Sequence, residues 1–155
     1  MTPAINIAKK AKINFHIHEY DHDPASESYG EEAALKLGID GNRVFKTLVV
    51  FSDSEGLSVA VLPVSHQLDL KRMAKALAAK KVTMADKSEV ERVTGYVLGG
   101  VSPLAQKKKL ITVIDDSAKS FDTIFVSAGR RGLEIELSAG DLKSLTNGRF
   151  YSIIK

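Results

Sequence analysis

Residues Val44-Phe45-Lys46-Thr47-Leu48-Val49-Val50-Phe51 read as a β-strand that is apolar on both faces and is interrupted by one lysine. A strand points alternate side chains to one face, so Lys46 shares its side with Val44, Leu48 and Val50. Desolvating an ammonium costs on the order of several kcal/mol unless it meets an anion, loses its proton or reaches a water-filled cleft. Lys46 is therefore the first candidate for function. It could fix an anion, polarise a carbonyl or, with a lowered pKa, act as a base or Schiff-base nucleophile. The plain alternative is a lysine that snorkels from a strand end.

The elements around this strand predict an α+β fold. Thr2 and Pro3 open a helix to about Lys12, and Phe15 to Tyr20 alternate as a strand. Ser28-Tyr29-Gly30-Glu31 matches a capping box for a helix over 29–37, stopped by Gly38. The turn residues 52–56 make a hairpin of the Lys46 strand and residues 57–64. Asp69 caps a helix to about Lys80, a short strand covers 82–84, and a short capped helix runs from Asp86 to Val93. Strands follow at 110–114, 123–127 and 133–137, the last with clear period-two alternation, then a helix from Ala139 to Leu145 capped by Ser138 and a strand near 150–153. Strands and helices alternate irregularly. A mixed, largely antiparallel, barrel-like sheet with helices packed around it is expected, as one domain over 1–155.

Composition sets the class. The chain has 155 residues, 44% hydrophobic and 26% charged, as in an ordinary globular protein. There is no cysteine, which excludes disulfides, thiolate metal sites and a cysteine nucleophile. No signal-peptide core or membrane-length apolar run is present, so the expected location is the cytoplasm, with no membrane partner. A net charge of +3 makes a polyanion an acceptable partner without requiring one.

Other candidates carry chemistry. Gly99 and Gly100, within Thr94 to Leu104, allow close approach of a ligand to the main chain, with the Ser102 hydroxyl as a further donor. An ordinary loop is the alternative. Ser127 to Gly132 run from a strand end into a turn bearing Arg130 and Arg131, and Lys107-Lys108-Lys109 form a basic run beside the glycine loop. Solvated surface explains these cations equally well. His16 and His18 share a strand face but lack a third ligand, His22 and His66 stand alone, and no Ser-His-Asp order is found. No metal or other cofactor is required by any residue set.

Taken in order, Val44 to Leu48, Thr94 to Leu104 and Ser127 to Glu134 resemble the YbaK family, and the likeness extends to Met1 to Ala4, His22 to Ala25, Gln67 to Lys71 and Ala139 to Leu142. The resemblance implies a freestanding trans-editing hydrolase related to the insertion domain of bacterial prolyl-tRNA synthetase. Its substrate would be mischarged Cys-tRNA(Pro), deacylated to cysteine and free tRNA, with prolyl-tRNA synthetase as a transient partner. Lys46 would be the essential lysine. Thr47, the loop at Gly99, Gly100 and Ser102, and the pocket edge at Ser127 and Gly129 would bind substrate, with Tyr20 and Asp141 in matching segments. In the family the thiol of the substrate cysteine attacks its own carbonyl, so no protein nucleophile is needed. Ala105 stands where the family often has glycine. Relatives of this fold edit alanyl and other esters, which leaves Ala-tRNA(Pro) as an alternative substrate. A tRNA- or synthetase-binding module without catalysis, or a small-molecule enzyme with Lys46 as Schiff base, are the readings from other classes.

Overall fold

The computed structural model describes residues 1–155. Helix α1 (Pro3–Ala11) starts at Thr2, whose hydroxyl accepts from the Ile5 amide, and ends on Lys12 in the left-handed region. Strand β1 (Phe15–Glu19) leads to α2 (Tyr29–Leu37), which Gly38 terminates. The capping box expected at Ser28 and Glu31 does not form, because the Ser28 side chain makes no cap hydrogen bond. Glu32 ties down this end of the helix instead: its carboxylate accepts from the Asp23 amide and pairs with His22 at 2.7 Å and Lys36 at 3.1 Å.

Strands β2 (Phe45–Ser52) and β3 (Gly56–Pro63) form the predicted antiparallel hairpin. Asp69 caps α3 (Leu70–Ala76), which stops short of the expected Lys80 because Ala78 takes a positive φ of 53°. Then come β4 (Val82–Met84), α4 (Lys87–Thr94), β5 (Ile111–Asp115), a short 3-10 helix at Asp116–Ser120 that no periodicity announced, β6 (Ile124–Arg130), β7 (Leu133–Leu137), α5 (Ala139–Thr146) and β8 (Arg149–Tyr151).

The strands build two sheets. Five lie in the order β4-β2-β3-β5-β8, with β5 parallel to both its neighbours, and three lie antiparallel as β1-β7-β6. The α+β, mixed and largely antiparallel arrangement is as expected, but the sheets do not close into a barrel. They meet at one isolated bridge, Val44 to Phe125.

Each face of the large sheet is covered. Met73, Ala74 and Leu77 of α3 and its C-terminal cap pack on Val50, Ala60, Leu62 and Val113. Across the sheet, Val59, Val61 and Ile114 pack against Ile124, Val126 and Ile135 of the small sheet, closed by Ala4 and Ile5 of α1 and Leu142 of α5. Two smaller clusters complete the interior. Ala33 and Ala34 of α2 meet Val44 and Phe125, and Val90 and Val93 of α4 meet Val49, Tyr96 and Val101. No helix is long and apolar enough to cross a membrane.

Candidate active site

The four clusters divide β2 between them, and they divide it at residues 46 and 47. On one face Val44 belongs to the α2 cluster, while Val50, with Leu48 packed beside it, belongs to the α3 cluster. Lys46 falls in the break. On the opposite face Phe45 joins the main core and Val49 the α4 cluster, and Thr47 falls between them. Apolar packing thus ends on both faces at the same point of one strand.

The backbone ladder is broken there as well. The Val44 carbonyl accepts from Val64 at 2.8 Å on the β3 side, and that of Val49 accepts from Ala85 at 3.1 Å on the other. Hydrogen-bonding direction alternates along an antiparallel strand, so the Thr47 N–H and C=O point to the outer edge. On that edge β4 pairs only with Val50, Phe51 and Ser52, and β6 only bridges Val44. A cavity of about 430 Å³ opens at this gap, within the usual range for a small-ligand site.

Its wall carries Lys46, Thr47, Tyr20, Ser127, Gly99 and Glu134. Burial lowers the Lys46 pKa, and Glu31 is the one charge that pulls it back up. Burial alone pushes the Glu134 carboxyl up to about 8, so at neutral pH it is largely protonated and can donate a hydrogen bond. Burial, with Glu134 adding to it, raises the Tyr20 phenol to about 12. The Thr47 hydroxyl oxygen is buried without a hydrogen-bond partner. A cation and several neutral donors therefore converge, the combination suited to an anion or a developing oxyanion.

The rim is built from three distant segments. Arg131 donates from Nε to the Leu98 carbonyl at 2.9 Å and lies over the Tyr29 ring, which also faces the His22 ring. Gly99 has a φ of 88°, and a Cβ there would stand 2.6 Å from Arg131 Nε and 3.0 Å from the Tyr29 ring. Only glycine fits at that point.

Tyr20, Lys46, Thr47, Gly99 and Ser127 are thus brought together, and four other expected residues are not. Gly100 uses its amide to bond Val97 and packs against the Arg130 backbone, so it offers no oxyanion donor. Ser102 is fully buried away from the cavity, its hydroxyl accepting from the Leu104 amide. Gly129 packs against Tyr96 and Thr2, and Asp141 lies in the first turn of α5, its amide on Ser138. These four shape or cap the fold.

Glu134 is the residue that sequence reasoning missed. Alternation with buried Leu133, Ile135 and Leu137 places it on the outer face of the small sheet, opposite Ser127 and His18 in register. At Glu134 that face lies against the cavity and not against water, whereas His16 on the same face is exposed. His18 pairs with Glu136 at 2.9 Å, and no three potential ligands gather as a metal set.

Residues 22–145 match the aminoacyl-tRNA editing domain family. The chain belongs to that family. A protein of Enterococcus faecalis (strain ATCC 700802 / V583), EbsC, provisionally named a Cys-tRNA(Pro)/Cys-tRNA(Cys) deacylase, is 40% identical over 98% of this chain and 92% of its own. The proline–tRNA ligase of Geotalea daltonii (strain DSM 22248 / JCM 15807 / FRC-32) is 28% identical over 79% of this chain, which corresponds to 20% of the ligase. A crystal structure provisionally described as a trans-editing enzyme for prolyl tRNA synthetase superposes with a TM-score of 0.84 at 20% identity, covering 100% of this chain and 99% of the other. At that identity the likeness bears on the fold alone.

Proposed function

We propose that this chain is a trans-editing hydrolase that removes cysteine from mischarged tRNA(Pro). The observation that carries the reading is Lys46, a half-buried cation at the break in both apolar faces of β2, set in a largely apolar cavity with Thr47, Tyr20, Ser127 and Glu134 on its wall and Lys87 and Glu27 also lining it. Membership of the aminoacyl-tRNA editing family and the 40% identity with EbsC support the choice of ester and of amino acid. All 155 residues act as one editing domain, and prolyl-tRNA synthetase is the transient source of the misacylated tRNA.

An aminoacyl ester is already activated, so positioning and charge stabilisation are enough. The cysteine thiol attacks its own carbonyl: an S–C bond forms, negative charge gathers on the carbonyl oxygen, and the bond to the ribose oxygen breaks. The thiol proton passes to that ribose oxygen, giving free tRNA and a cysteine thiolactone that water opens. Lys46 holds the carbonyl oxygen or the terminal phosphate. The outward Thr47 amide takes the oxyanion role that the buried amide of Gly100 cannot fill. Protonated Glu134, Tyr20 and Ser127 orient the rest of the aminoacyl group.

The test is a deacylation panel of Cys-, Ala-, Ser- and Pro-tRNA(Pro) with wild type and Lys46→Ala. Cys-tRNA(Pro) is cleaved fastest, and Lys46→Ala lowers that rate at least about 100-fold, the scale of losing one oxyanion donor. A wild-type protein that leaves Cys-tRNA(Pro) intact overturns the proposal.

A further inference from the structure

A second hollow lies behind the glycine loop. It encloses about 690 Å³ between the loop at Pro103 to Lys109, the start of β5 and the end of α5. Its charged wall residues are Lys108, Lys109 and Arg149, all exposed, and no Asp or Glu lines it. None of the three cations forms an ion pair. Lys108 is felt by Glu89, but that carboxylate is held by both guanidinium contacts of Arg92, at 3.1 and 2.8 Å.

The hollow is rigid where its cations begin. The amides of Lys107 and Lys108 bond the carbonyls of Thr94 and Val93 at the end of α4, and the Gln106 side chain donates to the Ser102 carbonyl. The end of α5 would repel an anion if its carbonyls were bare. They are covered in part: Gly148 donates to Lys143 at 2.9 Å and Asn147 to Ser144, and the Thr146 hydroxyl donates to Leu142 one turn back, while the cations of the hollow stand beside the remaining carbonyls. A concave surface with one sign of charge concentrates field lines and draws in polyanions.

The hollow also shares a wall with the Lys46 cavity. Val101 lines one and Pro103 the other, and two residues of chain span at most about 7 Å. From this arrangement we infer that the Lys108–Lys109–Arg149 hollow binds backbone phosphates of the acceptor arm of the same tRNA whose 3′ end enters the Lys46 cavity. The inference rests on the proposed editing function. It divides recognition between two sides of one loop, the ester on the Gly99 side and sequence-independent phosphate contacts on the Ala105 side.

The experiment compares wild type, a Lys108→Ala/Lys109→Ala/Arg149→Ala variant and a matched variant, Lys71→Ala/Lys75→Ala/Lys80→Ala, which changes net charge equally on exposed positions elsewhere. Substrates are Cys-tRNA(Pro) and the small ester 2′(3′)-O-cysteinyl-adenosine, across a salt series. The hollow variant loses at least about tenfold in kcat/KM on the tRNA at low salt, and its log–log salt slope becomes shallower by about 2 to 3, at about 0.7 to 0.9 for each of three phosphate contacts. Its rate on the adenosine ester is unchanged, and the matched variant keeps both. Equal behaviour of the two variants on tRNA overturns the inference. So does a loss seen only when prolyl-tRNA synthetase is present, since the hollow then binds protein. If wild type cleaves neither ester, the editing function fails and the hollow is judged on uncharged tRNA(Pro) binding. The same shallower slope then supports it, and an unchanged slope overturns it.

Discussion

The guanidinium carbon of Arg131 lies 4.7 Å from the centre of the Tyr29 ring, joining the β6–β7 turn to the first residue of α2. With its hydrogen bond to the Leu98 carbonyl, Arg131 clasps three segments that have no neighbouring sequence in common. It touches no reacting group, so it is a positioning residue. Arg131→Ala is expected to lower kcat/KM for Cys-tRNA(Pro) about three- to tenfold, the scale of one exposed cation–π contact and one hydrogen bond. The loss falls mainly on KM. Arg131→Lys recovers less than half of it, because an ammonium cannot stack as a plane. A change in kcat alone would show that the clasp does not set the mouth.

Glu134 makes stability fall as pH rises from about 4.5 to about 8. Its carboxyl titrates at about 8 in the fold against an ordinary 4.5, so between these values the folded state keeps a proton that the unfolded chain releases. Stability from this group is intact below pH 4.5, falls as pH rises and levels off above 8, at about 1.4 kcal/mol per pH unit while it falls. Glu134→Gln removes the dependence. Urea unfolding at pH 5 and pH 8.5 should show wild type losing a few kcal/mol more than the variant; parallel losses would contradict the buried, protonated state.

Glu32 acts at the other end of the scale. Burial would raise its pKa, but the Asp23 amide, His22 and Lys36 outweigh burial and hold it at about 2. The folded pKa is depressed, so its contribution is present above pH 4.5 and is lost as pH falls toward 2. Wild type should therefore lose thermal stability between pH 4.5 and pH 2.5 more steeply than Glu32→Gln does. Identical melting profiles over that window would remove Glu32 as the anchor of the 20–28 loop.

Two positions in one loop should respond oppositely to exchange of glycine and alanine. Ala105 has a φ of 54°, a conformation that costs a side-chain-bearing residue about 1 kcal/mol. Ala105→Gly should raise the melting temperature by about 1 to 3 °C, part of the relief being offset by the freer unfolded chain. Gly100→Ala places a Cβ 2.7 Å from the Arg130 Cα, a backbone atom that cannot turn aside. It should destabilise the protein by about 2 kcal/mol or more, the scale of overpacking. Calorimetry of both variants measures the contrast.

Lys46 was legible because a local pattern, apolar on both faces, made a lysine conspicuous, whereas Thr47 followed only from the family resemblance. Gly99 was legible as part of a glycine pair, yet nothing local distinguishes it from Gly100: one faces the cavity, and the other spends its amide on Val97. Glu134 was concealed by a pattern that is correct. It does sit on the face away from the main core, and only the meeting of the two sheets near Val44 and Phe125 turns that face inward. Ser102, Gly129 and Asp141 were read as ligand contacts because they lie in recognisable segments, but they are used to pack loops and cap a helix. The lysine run at 107–109 follows the glycine loop in sequence but stands on the other side of its wall. Local elements follow short-range rules, whereas exposure depends on which distant segment arrives.

The gap on the outer edge of β2 has a consequence for how copies of this protein meet one another. An unpaired strand edge is a template on which another chain can add, the first step toward aggregation. Here β6 occupies the edge at Val44 and β4 takes it up again at Val50, leaving five residues between them, only four of which lie clear of both the Val44 bridge and the Ala85 bond to Val49. A typical strand needs about five or six. The opening is too short for a second β-strand, so the protein can leave backbone open toward the cavity without offering it to another copy of itself.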